Sequence, residues 1–369
     1  MLFVSSLLFF QCTSEQLYLP GEQGPAGQNG LDGVDGTTSC VECHSSSHRD
    51  PIHDSYDISK HATGASTVSY TNRTYCAQCH SNEGYIEFQE TGAIQASYAL
   101  PTVISCTTCH DTHDTFDFEN DGQDYALRFT GTTQLIVDDN YHIDYGSTSN
   151  NCVSCHQPRR SAPVDDGSGM FMITSTHWGP HYGAQSTMLE GMLGAEIAGT
   201  TSYPDLNSSA HRTGADCVSC HMGESSGNNG MHSMLPSENS CTTCHTNGAP
   251  SGVGGFETDF ATLEALLENV VGWEYVYEVD GNGDLVLDGN GDPIIVLDGN
   301  GDPVTQDVIG ILHDGHPNTG EFGEGATFTF IEAQALWNYR FLYQDHSHGV
   351  HNPTYARALL HNSIEALQD

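Results

Sequence analysis

Apolar residues recur with a helical period in only a few stretches of this chain, and these stretches lie in its C-terminal third. Residues 257–271, 329–344 and 353–367 carry apolar side chains every three or four positions, which is the spacing of one face of an amphipathic helix. Pro353 stands where proline fits the first turn of the last of them. The pattern therefore predicts three longer C-terminal helices and mostly irregular structure before them.

Residues 273–308 show a different pattern. The string DGNGD occurs three times, at 280–284, 288–292 and 298–302, and short β-type runs separate the copies. Gly-Asn-Gly beside Asp is strong turn chemistry, so this region predicts a small β-hairpin or meander insertion. The Asp-x-Asn-x-Asp spacing also resembles the start of a Ca2+ loop, but the glycine and the last acidic ligand of such a loop are missing. Turns are therefore favoured, with calcium as the weaker alternative.

The composition fits a loop-rich protein. Apolar residues make up 37% of the 369 positions and charged residues 15%, yet the net charge is −39, with Lys60 as the single lysine. Nucleic acid is excluded as a partner because phosphate binding needs clustered Lys and Arg. The acidity favours solubility, a basic partner or a saline habitat.

The N-terminal segment indicates secretion. Residues 1–12 hold a short apolar run that resembles a secretion signal and is too short to span a bilayer. Cys12 follows this run, where a bacterial lipoprotein carries its lipidated cysteine; the alternative is that it is removed with the signal. In residues 13–37, glycine recurs at every third position from Gly21 to Gly36. Too short for a stable collagen helix, this segment is predicted to be a flexible tether.

Twelve of the thirteen cysteines form six identical motifs, which decide the protein class. Each motif reads C-x-x-C-H, and they are numbered 1 to 6 here in chain order: Cys40/Cys43/His44, Cys76/Cys79/His80, Cys106/Cys109/His110, Cys152/Cys155/His156, Cys217/Cys220/His221 and Cys241/Cys244/His245. Two thiols at this spacing can bond the two vinyl groups of one porphyrin, and the adjacent histidine then becomes the proximal iron ligand. Zinc sites, disulfides and thioredoxin-like motifs do not require a histidine after every second cysteine. The motifs predict six c-type haems, which are attached outside the cytoplasmic membrane.

Strings beside these motifs resemble the multihaem c-type cytochromes of dissimilatory metal-reducing bacteria, which include outer-surface and filament-forming members. The resemblance covers roughly residues 38–369 and rests on SKHA at 59–62, CTTCHDTHD at 106–114, WGPHYGAQSTMLEG at 178–191, SSAHRTGADCVSCHM at 208–222, GMHSMLP at 230–236 and HGVHNPTYARALLHNSI at 348–364. It implies a distal iron ligand in each string: His61, His113, His181, His211, His232 and His351. Which of these serves which haem is left open, and His177 and His348 are close competitors.

Six distal candidates for six irons favour saturated haems and electron transfer. The fold class expected is a multihaem cytochrome c: loop-rich, with short helices at the motifs and the haem stack as its core, since six haems leave little chain for a separate one. Arg159 and Arg160 are expected to pair with haem propionates. The organisation predicted is a signal-like segment (1–12), a linker (13–37) and a hexahaem domain (38–369).

Two classes of function compete at this point. The favoured one is an electron carrier without a catalytic residue, located at the cell surface, in the extracellular space or in the periplasm. Its expected partners are other multihaem cytochromes, an outer-membrane conduit, metal oxides or, in a filament, copies of itself. The alternative is a reductase of nitrite, hydroxylamine or a sulfur oxyanion with one open haem.

Overall fold

The computed structural model describes residues 38–64, 73–174, 178–280, 285–307, 312 and 326–369. The signal-like segment, Cys12 and the glycine linker lie outside the described residues. The chain divides into two compact units, Met1–Arg49 and Asp50–Asp369. The described part of the first unit contains motif 1, and the second unit contains motifs 2 to 6.

Short helices dominate the region of the motifs. Their bounds are α1 Thr38–His44, α2 Ser46–Asp57, α3 Lys60–Thr63, α4 Thr74–His80, α5 Asn82–Thr91, α6 Cys106–Cys109, α7 Asn150–Val153, α8 Gln185–Glu190, α9 Ala210–Gly214, α10 Cys217–His221 and α11 Glu238–Thr242, with a 3-10 turn at Met231–Ser233. Side-chain caps explain where several of them begin. Ser219 donates its backbone N–H to the Asp216 carboxylate over 2.8 Å, and the Ser219 hydroxyl accepts the Asp216 N–H over 2.7 Å. This reciprocal cap satisfies donors that a helix start leaves unpaired.

The three longer helices predicted from the apolar period are confirmed. They are α12 Phe256–Val271, α13 Phe330–Asp345 and α14 Pro353–Gln368. Thr329 and Glu332 form a capping box at the start of α13, and the Asn352 side chain caps α14 just before Pro353. All three helices pack against one another.

A conventional hydrophobic core lies among these helices, so the expectation that the chain leaves no room for a separate core is wrong. Leu263 and Leu267 of α12, Trp337 of α13 and Tyr355 of α14 are all buried in it. The Trp337 indole donates to the Leu193 carbonyl over 3.0 Å, which ties the helices to the segment that follows α8. Each fully buried side chain of this size stabilises the fold by roughly 1.5–3 kcal/mol. The C-terminal part of the chain therefore has apolar packing of its own.

The strands are short and pair in twos. The antiparallel pairs are β1 Thr133–Gln134 with β2 His142–Ile143, β3 Met170–Met172 with β6 Thr327–Thr329, and β4 Trp273–Tyr275 with β5 Thr305–Asp307. The β3–β6 pair attaches the segment after motif 4 to the start of α13. Many short helices and small sheets joined by loops are the architecture that the composition predicted.

In residues 285–304 the second and third DGNGD strings form turns, and residues 281–284 of the first string lie outside the described residues. The Asp288 carboxylate accepts the backbone N–H groups of Asn290 and Asp292, and Asp298 makes the same contacts in the next copy. Gly291, at φ +90°, occupies a backbone region that favours glycine. The turn interpretation is confirmed at these two copies. In each, the carboxylate of the first aspartate accepts hydrogen bonds from the backbone of its own turn.

The β-runs between these turns are joined by closed rings of three backbone hydrogen bonds, each ring linking three runs, and do not form a simple meander. Val276 donates its N–H to the Val304 carbonyl, Val304 donates to Val296, and Val296 donates back to Val276, each over 2.9–3.0 Å. The same closed set of three backbone hydrogen bonds recurs next to it, from Glu278 to Ile294, from Ile294 to Val286 and from Val286 back to Glu278. The first run thus pairs with three later ones, which a local turn pattern does not reveal.

Candidate haem sites

The motif helices place the two cysteines and the histidine of each motif within one or two helical turns. In motif 2 all three residues lie on α4, and in motif 5 all three lie on α10. In motifs 4 and 6 the helix ends between the cysteines, and the histidine follows in a turn. The twelve cysteines of the described residues form no disulfide with one another.

Three of the predicted attachment cysteines have exposed side chains. They are Cys43 of motif 1, Cys106 of motif 3 and Cys244 of motif 6. The physical reason is local, because little chain covers these positions. Residues 41–44 of α1 are all exposed, and Cys244 lies in the turn after α11, a helix without a buried residue.

This exposure leaves the attachment chemistry unchanged. The spacing of Cys43 and Cys244 within their motifs still suits the two vinyl groups of a porphyrin, so both stay predicted attachment residues. The haem stack as the core of the fold stays a prediction as well.

Five proximal histidines each face a second histidine ring. The pairs, with their ring-centre separations, are His80–His181 at 6.1 Å, His110–His232 at 6.3 Å, His156–His61 at 6.2 Å, His221–His351 at 6.2 Å and His245–His211 at 6.2 Å. The second member of every pair is one of the six distal candidates. The structure thus assigns a partner to each proximal histidine of the second unit.

The separation of these rings fits one metal ion between them. Metal–imidazole bonds are about 2.0 Å long, so two imidazoles on opposite sides of one ion have ring centres roughly 6 Å apart. Rings in direct contact can lie closer, and the Phe260–Tyr339 pair of the core is separated by 4.7 Å. The five pairs share a spacing within 0.2 Å of each other, the difference between 6.3 and 6.1 Å. The residues therefore fit an iron with two axial histidines.

The remaining proximal and distal residues lie in different units. His44 ends helix α1 of the first unit, whereas His113 lies in the second unit. The His113 ring packs near Phe116 and Phe118, with ring centres 5.5 and 5.6 Å away. Its Nδ1 lies 3.6 Å from the Asp124 carboxylate. His113 thus occupies an aromatic pocket of the second unit and stays the sixth predicted distal ligand.

Other histidines bind carboxylates. The Nδ1 of His348 lies 2.7 Å from Glu257, and the Nε2 of His361 lies 3.0 Å from Asp259. His348 is exposed, whereas the predicted ligand three positions later, His351, faces His221. Of the two competitors, His348 therefore has a different role, and His177 lies outside the described residues.

Hydrogen bonds at Nδ1 orient several of the paired rings. His110 donates to the Tyr125 carbonyl over 2.8 Å, His221 to the Met234 carbonyl over 2.8 Å and His211 to the Val350 carbonyl over 2.5 Å. A donor bond at Nδ1 fixes the tautomer and leaves Nε2 to bind a metal. These bonds therefore leave Nε2 as the ring nitrogen available to a metal in these three histidines.

Desolvation lowers the pKa of half of the ten paired imidazoles, which favours the neutral form that binds iron. Burial lowers the pKa of His156 to about 4, helped by the nearby His61. The pKa values of four further members of the pairs are also lowered by burial: His61, His80, His221 and His232. Proton competition for these ring nitrogens is therefore weak near neutral pH.

His351 differs from the other members because its neighbour is charged. Its Nδ1 donates to Oδ1 of Asp345 over 2.6 Å. Burial alone lowers the pKa of His351, but the charge and hydrogen bond of Asp345 outweigh this effect, and the net pKa is raised. Asp345, itself buried, was not identified from the sequence, where it gives no signal beyond lying six positions before His351.

Motif 4 lies between two other motifs. The thiol of Cys155 donates to the carbonyl of Gln78 in motif 2 over 3.8 Å, and the Gln78 side chain donates to the Ser154 carbonyl over 3.2 Å. Val218 of motif 5 donates its backbone N–H to the hydroxyl of Ser149, just before helix α7, over 3.0 Å. These contacts place motif 4 against motifs 2 and 5.

Two further contacts extend this series. Asn82, just after motif 2, accepts a hydrogen bond from Thr108 of motif 3 over 2.6 Å. Helices α10 and α11 of motifs 5 and 6 pack together, and Ser237 donates to the Glu224 carbonyl over 2.6 Å. The described contacts thus join the motifs of the second unit in the order 3, 2, 4, 5, 6.

The string GAQ at 183–185 gains a physical role here. A Cβ on Gly183 would lie 2.1 Å from the Gln157 carbonyl oxygen, so only glycine permits this approach to the segment after motif 4. Gln185 then places its Oε1 3.3 Å from Nδ1 of His156 and donates to the Gln344 carbonyl over 3.0 Å. Gln185 was quoted in the resemblance without a role, and the structure places it against a proximal histidine.

Arg159 lies at motif 2, although it follows motif 4 in sequence. Its N–H donates to the Pro180 carbonyl beside His181, and its guanidinium lies 5.1 Å from the ring centre of Tyr75. Its charge also contributes to lowering the pKa of His80, mainly a result of burial. Arg159 is therefore placed to act on the haem of motif 2, and its predicted contact with a propionate stays a prediction.

Comparison with known proteins agrees with the motifs. No family model matches the chain. The C-type polyheme cytochrome OmcB of Geobacter sulfurreducens, from two strains, is 27% identical over 229 residues, covering 54% of this chain and 26% of the relative. The chain thus spans about a quarter of the length of the curated relatives it matches. The crystal structure of outer cell wall cytochrome OcwA aligns with 86% of this chain and 50% of its own, at 19% identity and a TM-score of 0.47. The sequence match confirms the resemblance to multihaem c-type cytochromes.

Proposed function

We propose that this multihaem c-type cytochrome passes electrons outside the cytoplasm through six covalently attached haems with two axial histidines each. The observation that carries the proposal is the set of five facing histidine pairs at 6.1–6.3 Å. Each haem, when bound, supplies one reversible one-electron couple.

The residues of the chain give these haems fixed positions and closed coordination. Two cysteines per motif would hold each porphyrin covalently, and the histidine pair would supply both further iron ligands. An iron ligated in this way would have no site for a substrate, so the arrangement supports conduction over catalysis. The lowered pKa values of five of these imidazoles support the same conclusion, because a neutral ring has no proton to lose at the nitrogen that binds iron.

The contacts between motifs define a route for the electrons. Motif 4 contacts motifs 2 and 5, so it is the inner junction of the second unit. Motifs 3 and 6 then lie at the ends of the series 3, 2, 4, 5, 6. We therefore expect electrons to enter or leave this unit near those ends.

Location and partners follow from the attachment chemistry and the sequence. Covalent haem attachment supports an extracytoplasmic site, and the N-terminal segment supports either an outer-membrane lipoprotein anchored at Cys12 or a released protein. Within the described residues, no helix has the length and apolarity to cross a membrane. The partners we propose are other multihaem cytochromes, an outer-membrane conduit and terminal acceptors such as metal oxides, with self-association into filaments as one form of the same function.

The test is to count the haems and determine their spin state. Intact-mass measurement and a pyridine haemochrome assay should give six haems per chain, and the ferric protein should show only low-spin signals in electron paramagnetic resonance (EPR). A stoichiometric high-spin signal would contradict the proposal and favour a reductase with an open haem.

A further inference from the structure

The buried carboxylate of Asp345 contacts a predicted axial ligand directly. Asp345 is the last residue of α13, and its side chain is only 1% exposed. Its Oδ1 accepts Nδ1–H of His351 over 2.6 Å, and its Oδ2 accepts the hydroxyl of Ser347. Ser347 also accepts the backbone N–H of His351 over 3.2 Å. The carboxylate and this loop together hold the ring that faces His221.

A charged acceptor distinguishes this ligand from its counterparts. His110, His211 and His221 donate to backbone carbonyls, and His156 lies against the Gln185 amide. Of these five Nδ1 contacts, that of His351 is the one made with a carboxylate. The haem of motif 5 therefore has a different electrostatic environment from the haems of motifs 3, 4 and 6.

The location of Asp345 is unfavourable for stability. Burying a carboxylate is costly, and the C-terminal end of a helix carries partial negative charge that disfavours a second anion. Two hydrogen bonds offset part of this cost. An acid at such a position is more readily explained by its action on His351 than by a contribution to folding.

We propose that Asp345 lowers the reduction potential of the haem attached to Cys217 and Cys220, by adding negative charge and donor strength to the axial ligand His351. A carboxylate that accepts the second N–H of a metal-bound histidine makes that histidine a stronger donor. Stronger donation and a nearby negative charge both favour the ferric over the ferrous iron, because the ferric ion carries one more positive charge. This inference rests on the proposed function, since it needs a haem between His221 and His351.

The position of motif 5 gives this tuning a consequence for electron flow. Motif 5 lies between motifs 4 and 6 in the series of contacts. A lower potential at this inner member would decrease the fraction of electrons that its haem holds in a partly reduced chain. Asp345 would therefore raise the free-energy step that an electron crosses between motif 4 and motif 6.

The test is Asp345→Asn in the full haem-loaded protein. Asparagine keeps the shape and an acceptor oxygen but removes the charge. EPR-monitored potentiometry should then show one of the haem components shifted to more positive potential, by about tenfold in its reduction equilibrium, or about 59 mV for a one-electron couple. Ser347→Ala provides a second test of opposite sign: without the Ser347 hydroxyl, more of the negative charge acts on His351, and the same component should move to more negative potential.

Glu257→Gln is the matched control, because it neutralises a carboxylate bound to His348, which lies outside the histidine pairs. It should leave all potentials unchanged. A D345N protein with six low-spin haems and potentials equal to wild type would overturn the tuning inference and leave the proposed function intact. A high-spin signal in D345N would also overturn it, since Asp345 would then only anchor the ligand. High-spin or missing haems in the wild type would instead overturn the proposed function.

Discussion

The histidine pairs make each distal residue separately testable. The His211 ring faces His245 at 6.2 Å, and its Nδ1 donates to Val350. His211→Ala removes one axial ligand without touching a cysteine. We predict that the variant retains six haems by mass and that one of the six converts from low-spin to high-spin in EPR.

His348→Ala is the control for this experiment, because His348 is exposed and bonded to Glu257. It should keep the wild-type spectrum. An entirely low-spin H211A protein would show that His211 is not an axial ligand.

The charge of Arg159 leads to a second prediction at the residue scale. Arg159 lies against Tyr75, beside the pair His80–His181, and a positive charge near an iron favours its reduction. Arg159→Gln should therefore lower the potential of one haem, up to about tenfold in its reduction equilibrium, or about 59 mV. Potentiometry on R159Q and on Arg357→Gln, whose guanidinium instead donates to the Gly254 carbonyl, measures this. If R159Q and R357Q had the same haem potentials, Arg159 would have no influence on this haem.

How much of the site the sequence reveals depends on how local each signal is. The six motifs are contiguous, so they predict thiol and histidine positions directly, but not that Cys43 and Cys244 are exposed, which depends on what the fold packs over them. The distal residues could be proposed from strings near the motifs, but not their pairing, because His61 and its partner His156 are joined only by the folded chain. Asp345 gave no signal, since its role depends on burial and on a loop that turns His351 back towards it.

At the scale of elements, the C-terminal helices have a core that does not depend on the haems. Leu267 of α12 is fully buried in that core, whereas Leu266 on the same helix is only half-buried. Leu267→Ala should lower the free energy of unfolding by roughly 2–5 kcal/mol through lost burial and a cavity. Leu266→Ala should cost clearly less, and both variants should keep the wild-type EPR spectrum. Denaturation followed by far-ultraviolet circular dichroism measures the difference, and equal losses would argue against this core.

The elements that the sequence predicted well are those with a long local period. Helices α12, α13 and α14 begin and end within one or two residues of the apolar pattern. The motif helices are too short for a period to show, and caps such as Asp216 define them instead. The rings at Val276 and Glu278 connect runs separated by whole turns, and a local pattern carries no information about such pairing.

At the scale of the whole molecule, the net charge of −39 should govern encounters with acceptors. Haem propionates would add to this charge. A strongly negative surface attracts cationic and repels anionic reactants, and salt weakens both effects because the Debye length is only about 8 Å near 0.15 M ionic strength. Oxidation of the reduced protein by hexaamminecobalt(III) should therefore slow as salt is added, whereas oxidation by ferricyanide should accelerate.

Stopped-flow measurements between low and high ionic strength test this prediction, with a neutral quinone as the control acceptor whose rate should stay nearly constant. Salt trends of the same sign for both ions would mean that the electron leaves through a local patch whose charge differs from that of the whole chain. Opposite trends would instead support an acidic exit surface that selects basic partners, because the long-range field of the protein would then act at the point of transfer.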